Sequence, residues 1–445
     1  MRRGERRAGE EGEKGMDIRL GKAGRGLNGE ACVPPDKSIS HRSAILGAMA
    51  KGRTAAAPFL LSDDCLSTLS CLRSLGVEVE LDGCELAIEG RGPDGWSEPA
   101  GILDAGNSAT TMRLLCGALA GRPLACVIDG DASLRRRPMG RIVSPLRAMG
   151  ADISGMDDDT RPPLTVRGGR LEGIEHRMEV DSAQVKSALL LAGLQARGET
   201  RIVGGRSSRD HTERMLLLMG ADLEFEGEDT MSIRPSALAG CKIDIPGDIS
   251  SAAFLMAAAA LVPGSHLRLK GVGLNPTRAG FLSALNTMGA LVMESDYRET
   301  CNEPRGDLEV RSASLVGVEV ESDRVPAMID EVPLLAVLGC AARGVTVVRG
   351  AGELRVKESD RIAAICGELR KMGAEIKELP DGFAVSGPAE LRGAVVDSHG
   401  DHRIAMALAV AALCAEGDTV ISGWECVNIS FPGFGQTLRH LVSGS

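Results

Sequence analysis

Ser187-Ala188-Leu189-Leu190-Leu191-Ala192-Gly193-Leu194-Gln195-Ala196-Arg197-Gly198 is apolar nearly all round when wound as a helix, and its closing glycine runs into a strand-like stretch, Thr200-Arg201-Ile202-Val203. A helix without a polar face is buried in a core or in a membrane. At about 10–13 residues this one is too short for the roughly 20 that span a bilayer, so it reads as a core helix. The pattern occurs six times, at Ser43–Gly52, Thr111–Gly121, Ser187–Gly198, Ser251–Gly264, Pro333–Gly344 and Ile404–Gly417. The closing glycines recur roughly every 65–80 residues, longer than the 20–50 of solenoid repeats. Each period therefore holds a small α/β unit. A second echo supports this: a helix ending in Leu/Met-Gly before a strand recurs at Leu75-Gly76, Met149-Gly150, Met219-Gly220, Met288-Gly289 and Met372-Gly373. In Cys65–Leu75 the leucines keep helical spacing with polar residues between, as on the outside of a domain.

The chain has 445 residues, beyond the size at which one core keeps growing, and two domains of about 200 residues with three units each are expected. Pro34-Pro35 and Pro246-Gly247-Asp248 mark two crossings. They predict one domain from residues 16–35 plus 249–445 and another from 36–248. Residues 1–15 are charged and glycine-rich without an apolar stretch, and are expected to be a disordered extension, neither signal peptide nor anchor. Met16 is a candidate functional start.

With 56 glycines and only 2% aromatics, the cores are filled by Ala, Gly, Leu and Val, which does not suit a platform for stacking bases. A net charge of −10 argues against nucleic acid or an anionic membrane as partner, since both reward a positive face. The twelve cysteines are scattered, with no Cys-x-x-Cys or Cys/His ligand spacing. They read as reduced thiols of a cytoplasmic protein, with no metal site and no seat for a cysteine nucleophile.

The chemistry is concentrated ahead of the buried helices. There stand Pro35-Asp36-Lys37-Ser38-Ile39-Ser40-His41-Arg42, Asp104-Ala105-Gly106-Asn107-Ser108-Ala109-Thr110, Asp181-Ser182-Ala183-Gln184-Val185-Lys186, Pro246-Gly247-Asp248, Asp330-Glu331 and Gly400-Asp401-His402-Arg403. Capping of orphan N–H groups explains the Ser, Asn and Asp. It does not explain Lys37, Arg42, Arg113 and Arg403, because a cation at a helix N-terminus opposes the macrodipole by about 0.3–1 kcal/mol. An anion held by the free N–H groups and the basic side chains together resolves the conflict. Several such entrances facing one cleft would bind more than one phosphate or carboxylate. Lys357-Glu358-Ser359-Asp360-Arg361 adds two carboxylates and two cations, and Arg137 before Pro138 has an extended backbone that aims its fork at an anion. No glycine-rich nucleotide-binding loop accompanies these clusters.

Taken in order, Lys37-Ser38-Ile39-Ser40-His41-Arg42, Gly106-Asn107-Ser108-Ala109-Thr110, Arg137-Pro138-Met139, Ser182-Ala183-Gln184, Asp330-Glu331, Lys357-Glu358-Ser359-Asp360-Arg361 and Asp401-His402-Arg403 resemble the EPSP synthase family from about residue 17 to 440. The resemblance implies the enolpyruvyl transferase fold, a two-domain inside-out α/β barrel of six βαβαββ units. It implies transfer of the enolpyruvyl group of phosphoenolpyruvate to the 5-hydroxyl of shikimate 3-phosphate, with small-molecule substrates only, no cofactor, no metal, and a monomer.

Carried over by motif, Lys37, Ser38, Arg42, Ser182, Ala183, Gln184, Arg209, Asp330 and Lys357 resemble the shikimate 3-phosphate site, with Ser208 or Arg209 at the 3-phosphate. Lys37, Ala109, Arg137, Gln184, Arg361 and Arg403 resemble the phosphoenolpyruvate site. Asp330 resembles the base at the 5-hydroxyl and Glu358 the proton shuttle at the methylene carbon, with Lys37 and Lys357 as catalytic cations. For His402, assistance to chemistry and orientation of Arg403 both stay open, and His41 has no assigned role.

Two departures from the family pattern stand out. Ile429 precedes Ser430-Phe431-Pro432 where many members carry lysine, so one phosphate contact is expected to be missing or supplied otherwise. Ala109 stands where glyphosate-sensitive members have glycine, which implies the tolerant branch. The nearest rival is the UDP-N-acetylglucosamine enolpyruvyl transferase family, but Gly130-Asp131-Ala132-Ser133-Leu134-Arg135-Arg136-Arg137-Pro138 lacks that family's loop cysteine.

Overall fold

The computed structural model describes residues 16–443; the extension expected at 1–15 lies outside the described residues. The repeat is plainest between residues 103 and 167. Strand Leu103–Asp104 leads into buried helix Ala109–Ala120, strand Ala125–Asp129, amphipathic helix Gly140–Ala148 and strands Asp152–Gly155 and Arg161–Arg167. The first two strands are parallel, and the remaining pairings are antiparallel. Residues 175–233 and 319–387 repeat this βαβαββ order. The Leu/Met-Gly echo has a backbone cause: Gly76, Gly150, Gly220, Gly289 and Gly373 all take positive φ just past a helix end, where a side chain is strained.

Two units exchange their first strands. Asn28–Cys32 pairs in parallel with His266–Gly273, while Lys242–Asp244 pairs in parallel with Lys51–Ala57. The chain therefore crosses at residues 33–36 and returns at 245–248. The two crossings run side by side, with Asp36 N–H donating to Pro246 O and Asp248 N–H to Pro34 O, both at 2.8 Å. In the last unit, Val395–Asp397 and Asp418–Ser422 are completed by Ile18–Gly21 from the start of the described chain.

Two apolar clusters result and share no residue. One draws on residues 39–245, the other on 18–33 and 249–441. The six core helices are Lys37–Met49, Ala109–Ala120, Ala183–Gly193, Ile249–Leu261, Val332–Ala341 and His402–Ala412, and every residue from Ile249 to Ala260 is buried. Small residues allow the helices to touch backbone to backbone: a Cβ at Gly117 would stand 2.3 Å from Ala188 O on the next core helix. Gly117→Ala is accordingly expected to destabilise the first cluster by about 1–3 kcal/mol through overpacking, despite alanine's better helix propensity. A thermal melt at or above the parent Tm would contradict that packing.

Five of the six core helices are capped by a side chain. Asp36, Ser108, Ser182, Asp248 and Asp401 accept from N–H groups of Ile39, Thr111, Val185, Ser251 and Arg403. The caps fix each helix start locally, and starts from both bodies meet at one cleft, where Lys37 N–H donates to Asp248 Oδ2 at 3.1 Å.

Candidate active site

Arg361 is the centre of the cleft. It opens helix Arg361–Lys371, whose cap is Asp360, and its side chain is fully buried. Nε donates to Asp401 Oδ2 at 2.8 Å, Nη1 to Asp330 Oδ1 at 3.0 Å and Nη2 to Glu358 Oε2 at 2.7 Å. Asp401 caps one core helix and Asp330 directly precedes another, so helix starts from two units converge on one guanidinium.

The other body reaches across. Arg209 is ion-paired with Asp330, and Arg137 Nη1 lies 3.5 Å from Glu358 Oε1. Ser133 Oγ donates to Glu358 O at 3.2 Å, and Arg141 pairs with Glu353 at 2.7 Å. Burial alone pushes the Asp330 carboxyl up, but Arg209, Lys357, Arg403 and Arg361 outweigh it and hold the group well below the usual carboxylate range. Glu358 follows the same logic: burial raises it, and Arg361, Arg137 and Lys357 hold it well below. Both carboxylates are ionised at neutral pH.

A cavity of about 300 Å³ lies between the bodies, and its wall includes Ser182, Ala183, Gln184, Arg209 and Lys357. Arg113 also lines it, bonding the Gln184 side chain and donating to Pro138 O at 2.9 Å. Gln184 Nε2 in turn donates to Thr110 Oγ1 at 2.9 Å. Arg137 Nη2 is fixed by Asn107 Oδ1 at 2.5 Å. Ala109, 6% exposed, opens the helix at that same corner.

Arg403 is 4% exposed, and its Nε and Nη1 are buried without a hydrogen-bond partner among the described residues. Its guanidinium carbon sits 5.7 Å from the Phe254 ring centroid. Beside it, burial and then Arg403 and Lys37 push His402 well below the ordinary imidazole range. A neutral ring results, unsuited to donate a proton at neutral pH. His41 is likewise pushed well down, first by burial, with Nδ1 against Thr68 Oγ1 at 2.7 Å.

The structure adds residues that the sequence motifs left out and draws others inward. Lys37 Nζ is bound to Asp64 Oδ2 at 2.6 Å, and the second Asp64 oxygen is buried without a partner. Asp64 lies inside an amphipathic helix start, Ser62-Asp63-Asp64, whose acidic first turn reads as ordinary dipole complement. Arg42 is nearly fully buried and committed to Thr212 Oγ1, Ser38 O and Ser187 Oγ at 2.6, 3.0 and 3.0 Å. Ser38 is half-buried at the same helix start. Ile429 does not stand open to the cleft: it is 9% exposed and belongs to the apolar cluster that also holds Phe431 and Phe434.

A model of the EPSP synthase (3-phosphoshikimate 1-carboxyvinyltransferase) family matches residues 22–438. A 3-phosphoshikimate 1-carboxyvinyltransferase of Pelotomaculum thermopropionicum is 54% identical over 430 residues, covering 96% of this chain and 99% of the relative. The chain belongs to the EPSP synthase family. A relative with the same description from Desulforudis audaxviator is 54% identical over 419 residues, 94% of this chain and 97% of that one. The EPSP synthase structure from Acinetobacter baumannii superposes with a TM-score of 0.85 at 41% identity, covering 96% of this chain and 98% of that one. The enolpyruvyl transferase NikO from Streptomyces tendae shares the fold at a TM-score of 0.78 and 18% identity. The EPSP synthase family match spans both clusters and the cleft between them.

Proposed function

We propose that this chain transfers the enolpyruvyl group of phosphoenolpyruvate to the 5-hydroxyl of shikimate 3-phosphate, giving 5-enolpyruvylshikimate 3-phosphate and phosphate. One observation carries the reading. Two ionised, largely enclosed carboxylates, Asp330 and Glu358, share Arg361 while facing Arg209 and Arg137 from the opposite body.

The reaction needs a group on each side of the reacting carbon. Asp330 takes the proton of the 5-hydroxyl as its oxygen bonds to the central enol carbon. Glu358, which takes up a proton when the phosphoenolpyruvate anion engages Arg361 and Arg137, two of the cations that hold it down, delivers that proton to the methylene carbon, giving a tetrahedral phospho-ketal. Breakdown returns a proton from the new methyl group to Glu358 and breaks the carbon–oxygen bond to phosphate, which leaves with the proton that Asp330 took. Cations stabilise the departing phosphate, a role for Lys37, Arg137 and Arg403, whose unpartnered N–H groups suit an anion. Arg361 positions both carboxylates. Ser182, Gln184 and Arg209 line the cavity with Lys357 and are read as the shikimate 3-phosphate side.

The two clusters support domains of residues 16–35 plus 249–445 and 36–248, with closure joining Asp330 to Arg209. Twelve cysteines, all free thiols, support a cytoplasmic setting. Phosphate release measured with shikimate 3-phosphate and phosphoenolpyruvate, with UDP-N-acetylglucosamine as competing acceptor, tests the reading. Turnover confined to the sugar nucleotide would overturn it.

Ala109 is read as a gate. Its methyl group opens the helix whose entrance holds Arg137 through Asn107, and glyphosate is longer than phosphoenolpyruvate. Weak inhibition by glyphosate with normal phosphoenolpyruvate use is expected, and Ala109→Gly is expected to tighten inhibition at least about tenfold, some 1.4 kcal/mol. An unchanged inhibition constant in that variant would sink the assignment.

A further inference from the structure

Lys186 is the fully buried ammonium that the chemistry above does not use. It stands on the third core helix, two residues past Gln184, in a run otherwise made of Ser, Ala and Leu. Its Nζ pairs with Glu213 Oε1 at 2.6 Å and donates to Gly205 O at 3.0 Å and Ser208 O at 3.2 Å. All three ammonium protons are therefore assigned. Lys186 is 0% exposed and Glu213 is 2% exposed.

Burying such a pair costs several kcal/mol of desolvation per ion, and apolar residues of similar volume would often serve stability as well. The two carbonyls are what apolar residues would not serve. Gly205 follows Gly204, both at positive φ, so the loop begins with a pair of conformations open mainly to glycine. The loop then wraps around Gly205 O, which also accepts from Ser208 N at 3.1 Å and Ser208 Oγ at 2.6 Å. The residue after this knot is Arg209, whose side chain crosses the cleft to Asp330. Beyond it, Asp210 is fixed by Arg214 Nε at 2.9 Å and Asn275 Nδ2 at 2.7 Å. Lys186 is thus the internal post from which the Arg209 loop is hung.

We propose that Lys186 is a positioning residue: by holding the carbonyls of Gly205 and Ser208 it sets the place from which Arg209 meets the shikimate phosphate and closes on Asp330. The proposal rests on the reading of Arg209 given above. It separates two jobs that one buried lysine performs, balancing Glu213 and tethering the loop.

The test separates them too. The double variant Lys186→Met, Glu213→Leu removes the paired charges together; Arg42, which also feels Glu213, keeps Asp36 and its bonds to Thr212, Ser38 and Ser187, so the variant is expected to fold with a Tm near the parent. Its KM for shikimate 3-phosphate is expected to rise about tenfold to a hundredfold, the scale of a small misplacement. Its KM for phosphoenolpyruvate and its kcat are expected to stay within about threefold. Glu213→Gln, which keeps Lys186 on both carbonyls, is expected to leave all three near parent values and serves if the double variant does not fold. Arg209→Ala is expected to raise the same KM, and adding it to the double variant is expected to give less than the sum of the two effects.

A folded double variant with the parent KM for shikimate 3-phosphate overturns the role of Lys186 alone, provided Arg209→Ala raises that KM. An Arg209→Ala enzyme with the parent KM overturns both readings. A Glu213→Gln variant that raises the shikimate 3-phosphate KM as much as Arg209→Ala also overturns the proposal, because charge balance would then be the whole of the effect.

Discussion

Asp330→Asn is expected to lower kcat about 10²–10⁴-fold, the range that general acid–base catalysis supplies, while binding of shikimate 3-phosphate is retained or tightened. The first half follows from chemistry. An amide of the same shape cannot accept the 5-hydroxyl proton. The second half follows from the ion pairs. Asp330 is paired with Arg209, and it also neutralises Arg361 with Lys357 4.0 Å away. Replacing it with a neutral side chain leaves Arg209 free for a phosphate, so an anion meets a less self-satisfied site. Equilibrium titration of shikimate 3-phosphate, set beside steady-state kcat, separates the two effects. A kcat within tenfold of the parent would remove Asp330 from the role of base. A large loss of binding with kcat preserved would make it a substrate contact only.

That competition explains how a carboxylate held well below its usual range can serve as a base. Arg209 and Lys357, paired with it, lower its basicity. On the reading proposed above, a substrate phosphate that draws Arg209 away removes the first of the four cations that hold it down, so the carboxyl moves up towards its ordinary value. Basicity is thereby coupled to occupancy by the correct anion.

The fold was legible where physics is local. A run such as Leu189–Leu194 has no polar face, so its burial could be read from the letters, and a Met-Gly pair past a helix end carries its own backbone reason. Asp36, Asp248 and Asp401 were legible as caps because a short acidic side chain before an apolar run has few other uses. Pro34-Pro35 and Pro246-Gly247-Asp248 marked the crossings, but which strands the two crossing units exchange was not legible. Asn28–Cys32 pairs with a strand starting 238 residues later, at His266, and a five-residue strand carries no mark of its partner.

The site divides the same way. Arg361, Glu358 and Arg403 belong to dense polar clusters and announced themselves. Asp64 did not, since an acidic first turn is expected on any helix, and only its 2.6 Å bond to Lys37 sets it apart. Ile429 illustrates the converse. Its letter invited comparison with a lysine, but an aliphatic side chain next to Phe431 has apolar surface to bury, and it does so in the core.

Arg361→Met is expected to be the most damaging single change in the cleft, and its stability cost is expected to depend on pH. The guanidinium bonds three buried or nearly buried carboxylates, with side-chain exposures of 14% for Asp330, 13% for Glu358 and 0% for Asp401. Burial disfavours the Arg361 charge, but Asp401, Glu358 and Asp330 more than compensate and raise its pKa. Removing one partner of such a set typically costs about 3–5 kcal/mol, on the order of 10 °C in Tm for a domain of about 200 residues.

In the parent, Asp330 and Glu358 have folded pKa values below their unfolded ones. Their contribution is complete above about pH 4–5, the unfolded carboxylate range, and is lost as pH falls through the depressed folded values. In the variant Glu358 loses the first of the cations that hold it down and Asp330 the last of its four, so both move up, Glu358 more; the cost is greatest at neutral pH and is relieved as they take up protons on acidification. The Tm gap between parent and variant is therefore expected to be widest near pH 7 and to narrow towards pH 4. Activity is expected to fall at least about 10³-fold at neutral pH, a loss of some 4 kcal/mol in transition-state stabilisation, because both acid–base groups lose their shared anchor. Thermal melts and kcat/KM across that range check the two arms together. A Tm gap that stays constant or widens with acid would mean that Asp330 and Glu358 do not depend on Arg361 for their charge.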